Sequence, residues 1–246
     1  MLVGVPKEIK DHEYRVGLVP ATVRELAARG HKVMVERGAG AGAGIADAEY
    51  ETAGAEIVPG AEAIFERAEM IVKVKEPLAA ERPKLKRGQI LFTYLHLAAD
   101  RAQAEGLMSA GVIGVAYETV TAADGSLPLL TPMSAVAGRM APQVGAWCLQ
   151  KANGGRGVLL AGVPGVAPGT VLILGGGHVG ANAALIAVGM GASVTVVGRS
   201  QASLARIAAE FGDRVRCQAA ERGAIEGLAR EADLVIGAAM VPGGVA

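Results

Sequence analysis

Short apolar runs alternate with amphipathic stretches along most of the chain. "LVGVPKE" is an apolar run ending in charge and predicts a first strand. Pro20 then opens "ATVRELAARG", where Val23, Leu26 and Ala27 share a helical face and Gly30 provides the stop. "KVMVE" predicts a second strand. The glycine-rich "GAGAGAGIADAEY" predicts a loop, because it lacks the strand-then-helix setting of a phosphate cradle. "AEAIFERA" predicts a helix. "MIVKVKEP" predicts a strand stopped by Pro77, and "QILFTYLH" a strand ending at His96. A helix over about 100–110 leads to the strand "VIGVAYE". This βαβα order predicts a parallel sheet covered by helices on both faces.

The turn-rich "DGSLPLLTP" marks a boundary, giving domains over 1–130 and 131–246. A long interdomain helix, "MSAVAGRMAPQVGAWCLQ", is expected to kink at Pro142. Residues 151–170 are rich in Gly and Pro and predict irregular structure. Alternation then resumes. Strands are expected at 170–174, 193–197, 214–217 and 233–237, with helices near 179–189, 201–211 and 221–230. From Thr170 this amounts to one βαβαβ half of a dinucleotide fold plus one strand of the second half. The fold class is therefore α/β, with two Rossmann-like parallel-sheet domains, the second incomplete. On that count the chain is expected to be a fragment of a longer protein.

Composition narrows the function classes. The chain has 246 residues and zero formal net charge, which gives no basic face for nucleic acid. Aromatic residues make up only 3 %, which favours close packing of helices on sheets. The first ten residues are charged and contain no apolar signal core, and no apolar run approaches the ~20 residues of a membrane span. Cys148 and Cys217 have no metal-ligand spacing and read as two free thiols. The expectation is a soluble cytoplasmic protein with no metal site, no nucleic-acid partner and no membrane.

The clearest motif is "LGGGHVG". Gly175, Gly177 and Gly180 match G-x-G-x-x-G between a strand and an Ala-rich helix. The first glycine permits the tight turn, the second lets pyrophosphate approach, and the third lets the helix press on the strand. The helix N-terminus offers free N–H groups to phosphate. His178 and Val179 lie inside the loop and are counted with it as cofactor-contacting positions, with no chemistry assigned to the imidazole. At the end of the next strand an acid would receive the adenosine ribose hydroxyls. Here the chain reads Gly198-Arg199-Ser200. Glycine cannot bind the ribose in that way, and a guanidinium suits a 2′-phosphate. From these residues alone, NAD and NADP both remain open.

In the first half, Arg15 falls in a loop between a strand and a helix, while Lys75 and His96 fall at strand ends. Ligands of open parallel sheets bind beyond the carboxyl ends of the strands. The three residues therefore form a candidate constellation.

These segments together resemble the alanine dehydrogenase family, which also includes the hydride-transferring α-subunit of transhydrogenase. The resemblance runs the length of the chain through "GVPKEIK", "HEYRVGLVP", "VERGAG", "VKVKEP", "LFTYLHLAAD", "YETV", "GGRGVLLAGVPGVAP" and "LGGG" followed by "NAA", in the family's order. It implies reversible, NAD-dependent oxidative deamination of L-alanine to pyruvate and ammonium by a homo-oligomer, hexameric in the family. Arg15 and Lys75 would bind substrate, His96 would be the general acid/base, and Ser134 would contact the cofactor. An imidazole ordinarily titrates near neutral pH, which suits that role. This sequence departs from the family pattern at Gly198 and at Ala135, where the family usually has acids. Family members also continue beyond residue 246, where a second catalytic acid and further nicotinamide contacts lie. Two other readings accompany the dehydrogenase: a transhydrogenase-type nucleotide subunit, and a non-catalytic dinucleotide-binding module.

Overall fold

The computed structural model describes residues 1–239. The last residues of the expected second domain, 240–246, lie outside the described residues. The chain divides into two compact units, Met1–Leu129 and Leu130–Ala246.

Unit 1 is a six-stranded parallel sheet with the order β3-β2-β1-β4-β5-β6. The strands are β1 (Leu2–Val5), β2 (Lys32–Glu36), β3 (Ala55–Val58), β4 (Met70–Val72), β5 (Ile90–Thr93) and β6 (Ile113–Ala116). Four helices connect them: α1 (Pro20–Ala28), α2 (Asp47–Thr52), α3 (Ala61–Arg67) and α4 (Arg101–Ala110). Alternate residues of a strand face opposite sides of the sheet. Thus Val33 and Val35 join Val23 of α1 and Tyr50 of α2 in one core, while Met34 joins Ile64, Phe65 and Leu107 in the other. Burying a side chain such as Phe65 contributes about 1.5–3 kcal/mol relative to leaving it exposed.

Three local expectations need correction. The stretch read as a loop contains a 3-10 turn at Ala41–Ala43 and then α2. The Glu49 carboxylate accepts from the Ala46 N–H at 2.9 Å, and Asp47 accepts from the Gly38 N–H at 2.8 Å, which fixes the helix start despite the glycines. Strand β3 was not anticipated. The two strands before Pro77 and His96 end early, at Val72 and Thr93; the Lys73 and Tyr94 N–H groups still bond across to the Phe92 and Val74 carbonyls, and the amides beyond them turn to side chains. The Val74 and Lys75 N–H groups bond the Glu8 carboxylate, and those of Leu95 and His96 bond Glu118.

Unit 2 is a four-stranded parallel sheet with the order β10-β7-β8-β9. It comprises α5 (Thr131–Cys148), β7 (Thr170–Leu174), α6 (His178–Gly189), β8 (Ser193–Gly198), α7 (Gln201–Phe211), β9 (Val215–Ala219), α8 (Arg222–Glu231) and β10 (Leu234–Gly237). The first strand lies at the centre and the order reverses beside it, as in a dinucleotide-binding half. The helix expected between domains is α5, and it packs along α6 within this unit. A Cβ on Gly138 would come within 2.3 Å of the Val179 carbonyl, so the contact requires glycine. The helix runs without a break through Pro142, whose missing N–H leaves the Gly138 carbonyl without its usual donor one turn on. Between α5 and β7 there is only a 3-10 turn, Lys151–Asn153, and an isolated bridge between Val163 and Val166. In α6, Ala183, Ala184 and Ala187 are fully buried, and their small side chains bring the helix close to the sheet.

Candidate active site

At the carboxyl edge of unit 1, the strand order reverses between β1 and β4. Arg15 lies in the long connection after β1, Lys75 three residues past β4, and His96 three residues past β5. Several groups tie these segments together. Glu8, on the chain leaving β1, accepts from Val74 N at 2.6 Å and Lys75 N at 3.3 Å. The Thr93 hydroxyl donates to the Lys75 carbonyl at 2.9 Å, joining the ends of β4 and β5. Glu118, after β6, accepts from His96 N at 2.7 Å and Leu95 N at 3.1 Å.

His96 has φ of +49°, in the left-handed region, and the exposed imidazole stacks on the Tyr94 ring at 5.9 Å with 11° between planes. The Tyr94 ring is nearly buried, and its hydroxyl donates to the Leu129 carbonyl at 2.7 Å. Burial pushes the Tyr94 phenol above its usual pKa, and the nearby Arg15 guanidinium offsets part of that rise. Arg15 is held by Glu13 through Nε at 2.8 Å and Nη2 at 2.5 Å. That hydrogen bond holds the Glu13 carboxyl below the usual range, and Lys75 adds to the effect. Arg15 is thus coupled to Tyr94, Tyr94 is stacked on His96, and Glu13 lies within the electrostatic reach of Lys75.

Beneath this cluster is a buried ion triad. The Lys73 ammonium bonds Glu8 at 3.2 Å and Glu81 at 2.8 Å, and none of the three side chains exceeds 4 % exposure. The second Glu81 oxygen accepts from Leu78 N at 2.9 Å. Sequence reading did not single out Glu8, Glu13, Lys73, Glu81, Tyr94 or Glu118. One available signal was the placement of Glu8 and Glu118 just past strand ends, where backbone N–H groups need acceptors.

In unit 2 the glycine loop joins β7 to α6. Gly175 has φ of +124°, and a Cβ there would lie 2.4 Å from the Ala238 carbonyl oxygen. A Cβ on Gly180 would lie 1.8 Å from the Gly175 carbonyl oxygen, so only glycine allows α6 to start where it does. At Gly177, by contrast, a Cβ would meet nothing within 4 Å. The turn is therefore tight on its protein side and open at its middle glycine, which fits a pyrophosphate over the first turn of α6. His178 is exposed and begins α6, and Val179 is partly covered. Gly198, Arg199 and Ser200 follow directly at the end of β8. Ser134 sits in the first turn of α5, where its N–H donates to the Leu130 carbonyl. Among the described residues, no three His, Cys, Asp or Glu side chains come together as a metal site.

Residues 4–137 match the alanine dehydrogenase/PNT N-terminal domain, and residues 141–246 match the C-terminal domain of the same family. The chain belongs to the alanine dehydrogenase/PNT family. It is 51 % identical over 243 residues to an alanine dehydrogenase of Mycolicibacterium smegmatis, covering 99 % of this chain and 66 % of that protein. It is 52 % identical to one of Halomonas elongata, covering 100 % of this chain and 66 % of the relative. The chain thus spans about two thirds of the length of these curated relatives. Among solved structures, an L-alanine dehydrogenase aligns with a TM-score of 0.91 at 53 % identity, over 100 % of this chain and 68 % of that one. A transhydrogenase from Sinorhizobium meliloti aligns with a TM-score of 0.81 at 26 % identity, over 100 % of this chain and 72 % of that one. No helix among the described residues is long and apolar enough to cross a membrane.

Proposed function

We propose that this protein catalyses the reversible oxidative deamination of L-alanine to pyruvate and ammonium. The observation that carries the reading is the grouping of Arg15, Lys75 and His96 past the strand ends of unit 1, through Glu8, Thr93, Tyr94 and Glu118. Arg15 binds the substrate carboxylate by charge-assisted hydrogen bonds, with Glu13 orienting the guanidinium. Lys75 binds the carboxylate or, in the product, the carbonyl oxygen. The Cα–H bond breaks with loss of hydride while the amine nitrogen loses a proton, giving an imine. Water adds to the imine carbon, and ammonia leaves as the carbonyl forms. The His96 ring accepts a proton from the attacking water and returns one to the departing nitrogen. Nicotinamide, when bound, supplies the hydride acceptor. Gly175, Gly177, His178, Val179 and Gly180 are the pyrophosphate side of its site, with Ser134 a further contact and Gly198-Arg199-Ser200 the adenosine end. The family expectation is NAD, and the adenosine end of this chain departs from it.

Assembly into a homo-oligomer and a location in the cytoplasm belong to the same proposal, the latter supported by the two unpaired cysteines. The test is alanine-dependent reduction of nicotinamide at alkaline pH, with His96→Asn as the control. Turnover retained in that variant would remove His96 from the chemistry. Hydride exchange between two nucleotides without alanine would favour the transhydrogenase-type reading instead. Nucleotide binding with no turnover of either kind would favour a non-catalytic dinucleotide-binding module.

A further inference from the structure

We propose that the adenosine end of the cofactor site is selective for a 2′-phosphorylated nucleotide, so that NADP(H) binds more tightly than NAD(H). The proposal rests on the dinucleotide-site reading above. Three parts of unit 2 converge at this point. The Gly175 N–H donates to the Val197 carbonyl at 2.7 Å, which joins the glycine loop to the end of β8. A Cβ on Gly176 would lie 3.4 Å from the Ser203 Cβ, so the first turn of α7 packs against the loop. A Cβ on Gly198 would lie 3.4 Å from Gly176 N and 3.3 Å from the Leu204 side chain. A nucleotide laid on the glycine loop therefore has its adenosine ribose against 198–200.

No carboxylate stands at 198–200 to receive a 2′-hydroxyl or repel a phosphate; the acid brought nearest by the sheet is Glu221, on the neighbouring strand's exit, next to Ala220 whose N–H donates to the Gly198 carbonyl at 3.0 Å. Between Asp124 and Glu210 the sequence contains no acid at all. The charges nearest Gly198 in sequence are Arg199 and Arg206, both exposed. Among the described residues Arg199 forms no hydrogen bond or ion pair, so its fork is available for a phosphate. Ser200 accepts from Ser203 N at 3.2 Å as the cap of α7, which leaves its hydroxyl proton to donate.

The test is titration of the 246-residue chain with NADPH and with NADH, followed by calorimetry in the absence of alanine, so that it does not depend on the assigned reaction. The expected preference for NADPH is about ten- to hundredfold, the value of one or two hydrogen bonds to a charged group. It should shrink as salt rises. Arg199→Ala should lower NADPH affinity at least about tenfold more than it lowers NADH affinity. Gly198→Asp should reverse the preference, since its Cβ requires only a small shift of the Leu204 side chain. Equal or tighter NADH binding by the unaltered chain would overturn the proposal, as would an unchanged ratio in Arg199→Ala. Binding of neither nucleotide would overturn this proposal and the dinucleotide reading together. NADPH selectivity without alanine turnover would leave this proposal standing and remove only the dehydrogenase reading.

Discussion

Lys73→Met isolates the buried triad under the active-site edge. The substitution keeps the length of the side chain and removes its charge. Glu8 then keeps the Val74 and Lys75 N–H groups and Glu81 that of Leu78, while the bonded ammonium is gone and Arg15 and Lys84 act on the two carboxylates only at longer range. The two Glu side chains are 2 % and 4 % exposed, so water cannot replace the ammonium. Removing one partner of a buried ion cluster costs about 3–5 kcal/mol. With a urea slope of roughly 2 kcal/mol per M, the unfolding midpoint should fall by about 2 M. All four tyrosines lie in unit 1 and the one tryptophan lies in unit 2. Tyrosine near-UV circular dichroism therefore reports the loss where it occurs. A second variant, Lys73→Met with Glu8→Gln and Glu81→Gln, removes every charge and should recover much of the loss, because neutral replacements of buried ion clusters are often tolerated. A fall below about 1 kcal/mol in the single variant would refute the reasoning, since that is the range of a solvated surface pair. So would a neutral variant no more stable than the single one.

Glu13→Gln should weaken alanine binding by releasing Arg15, raising KM with kcat nearly unchanged; an equal fall in kcat would assign Glu13 a different role. The same pair predicts an acid dependence. Its folded pKa lies below the unfolded value, so its stabilisation is present above about pH 4.3 and is lost as pH falls through the folded pKa. The contribution is small because Arg15 is 45 % exposed. Acid titrations of unfolding should show this increment in the unaltered chain and not in Glu13→Gln. Gly180→Ala should abolish nucleotide binding and lower the stability of unit 2, because the added methyl would overlap the Gly175 carbonyl. Normal binding by that variant, measured by calorimetry, would contradict the packing described for the loop.

Hydrophobic spacing revealed the parallel α/β character and most helices because those signals are local. The failures occurred where side chains from distant segments replaced local bonding. In "MIVKVKEP" the apolar alternation continues to Val74, yet the Val74 and Lys75 N–H groups bond the Glu8 carboxylate, from the chain leaving β1. Strand β3 is only four residues long and includes an exposed Glu56, too little for a period to register. In the candidate site, Arg15, Lys75 and His96 were visible as residue types at strand ends. Their support by Glu8, Glu13 and Glu118 was not, since nothing in the spacing of those acids pairs them with particular amides. Lys73 reads as the solvated half of an alternating strand, and its burial follows only from two acids 65 and 8 residues away.

The left-handed backbone at His96 restricts how this position can drift. Among residues with a side chain, Asn, Asp and His enter that region most readily, and β-branched residues enter it poorly. A lineage that lost the chemistry would meet a backbone filter before any chemical one. It would reach Asn, Asp or Gly easily, whereas Val or Ile would first require the loop held by Glu118 to be rebuilt.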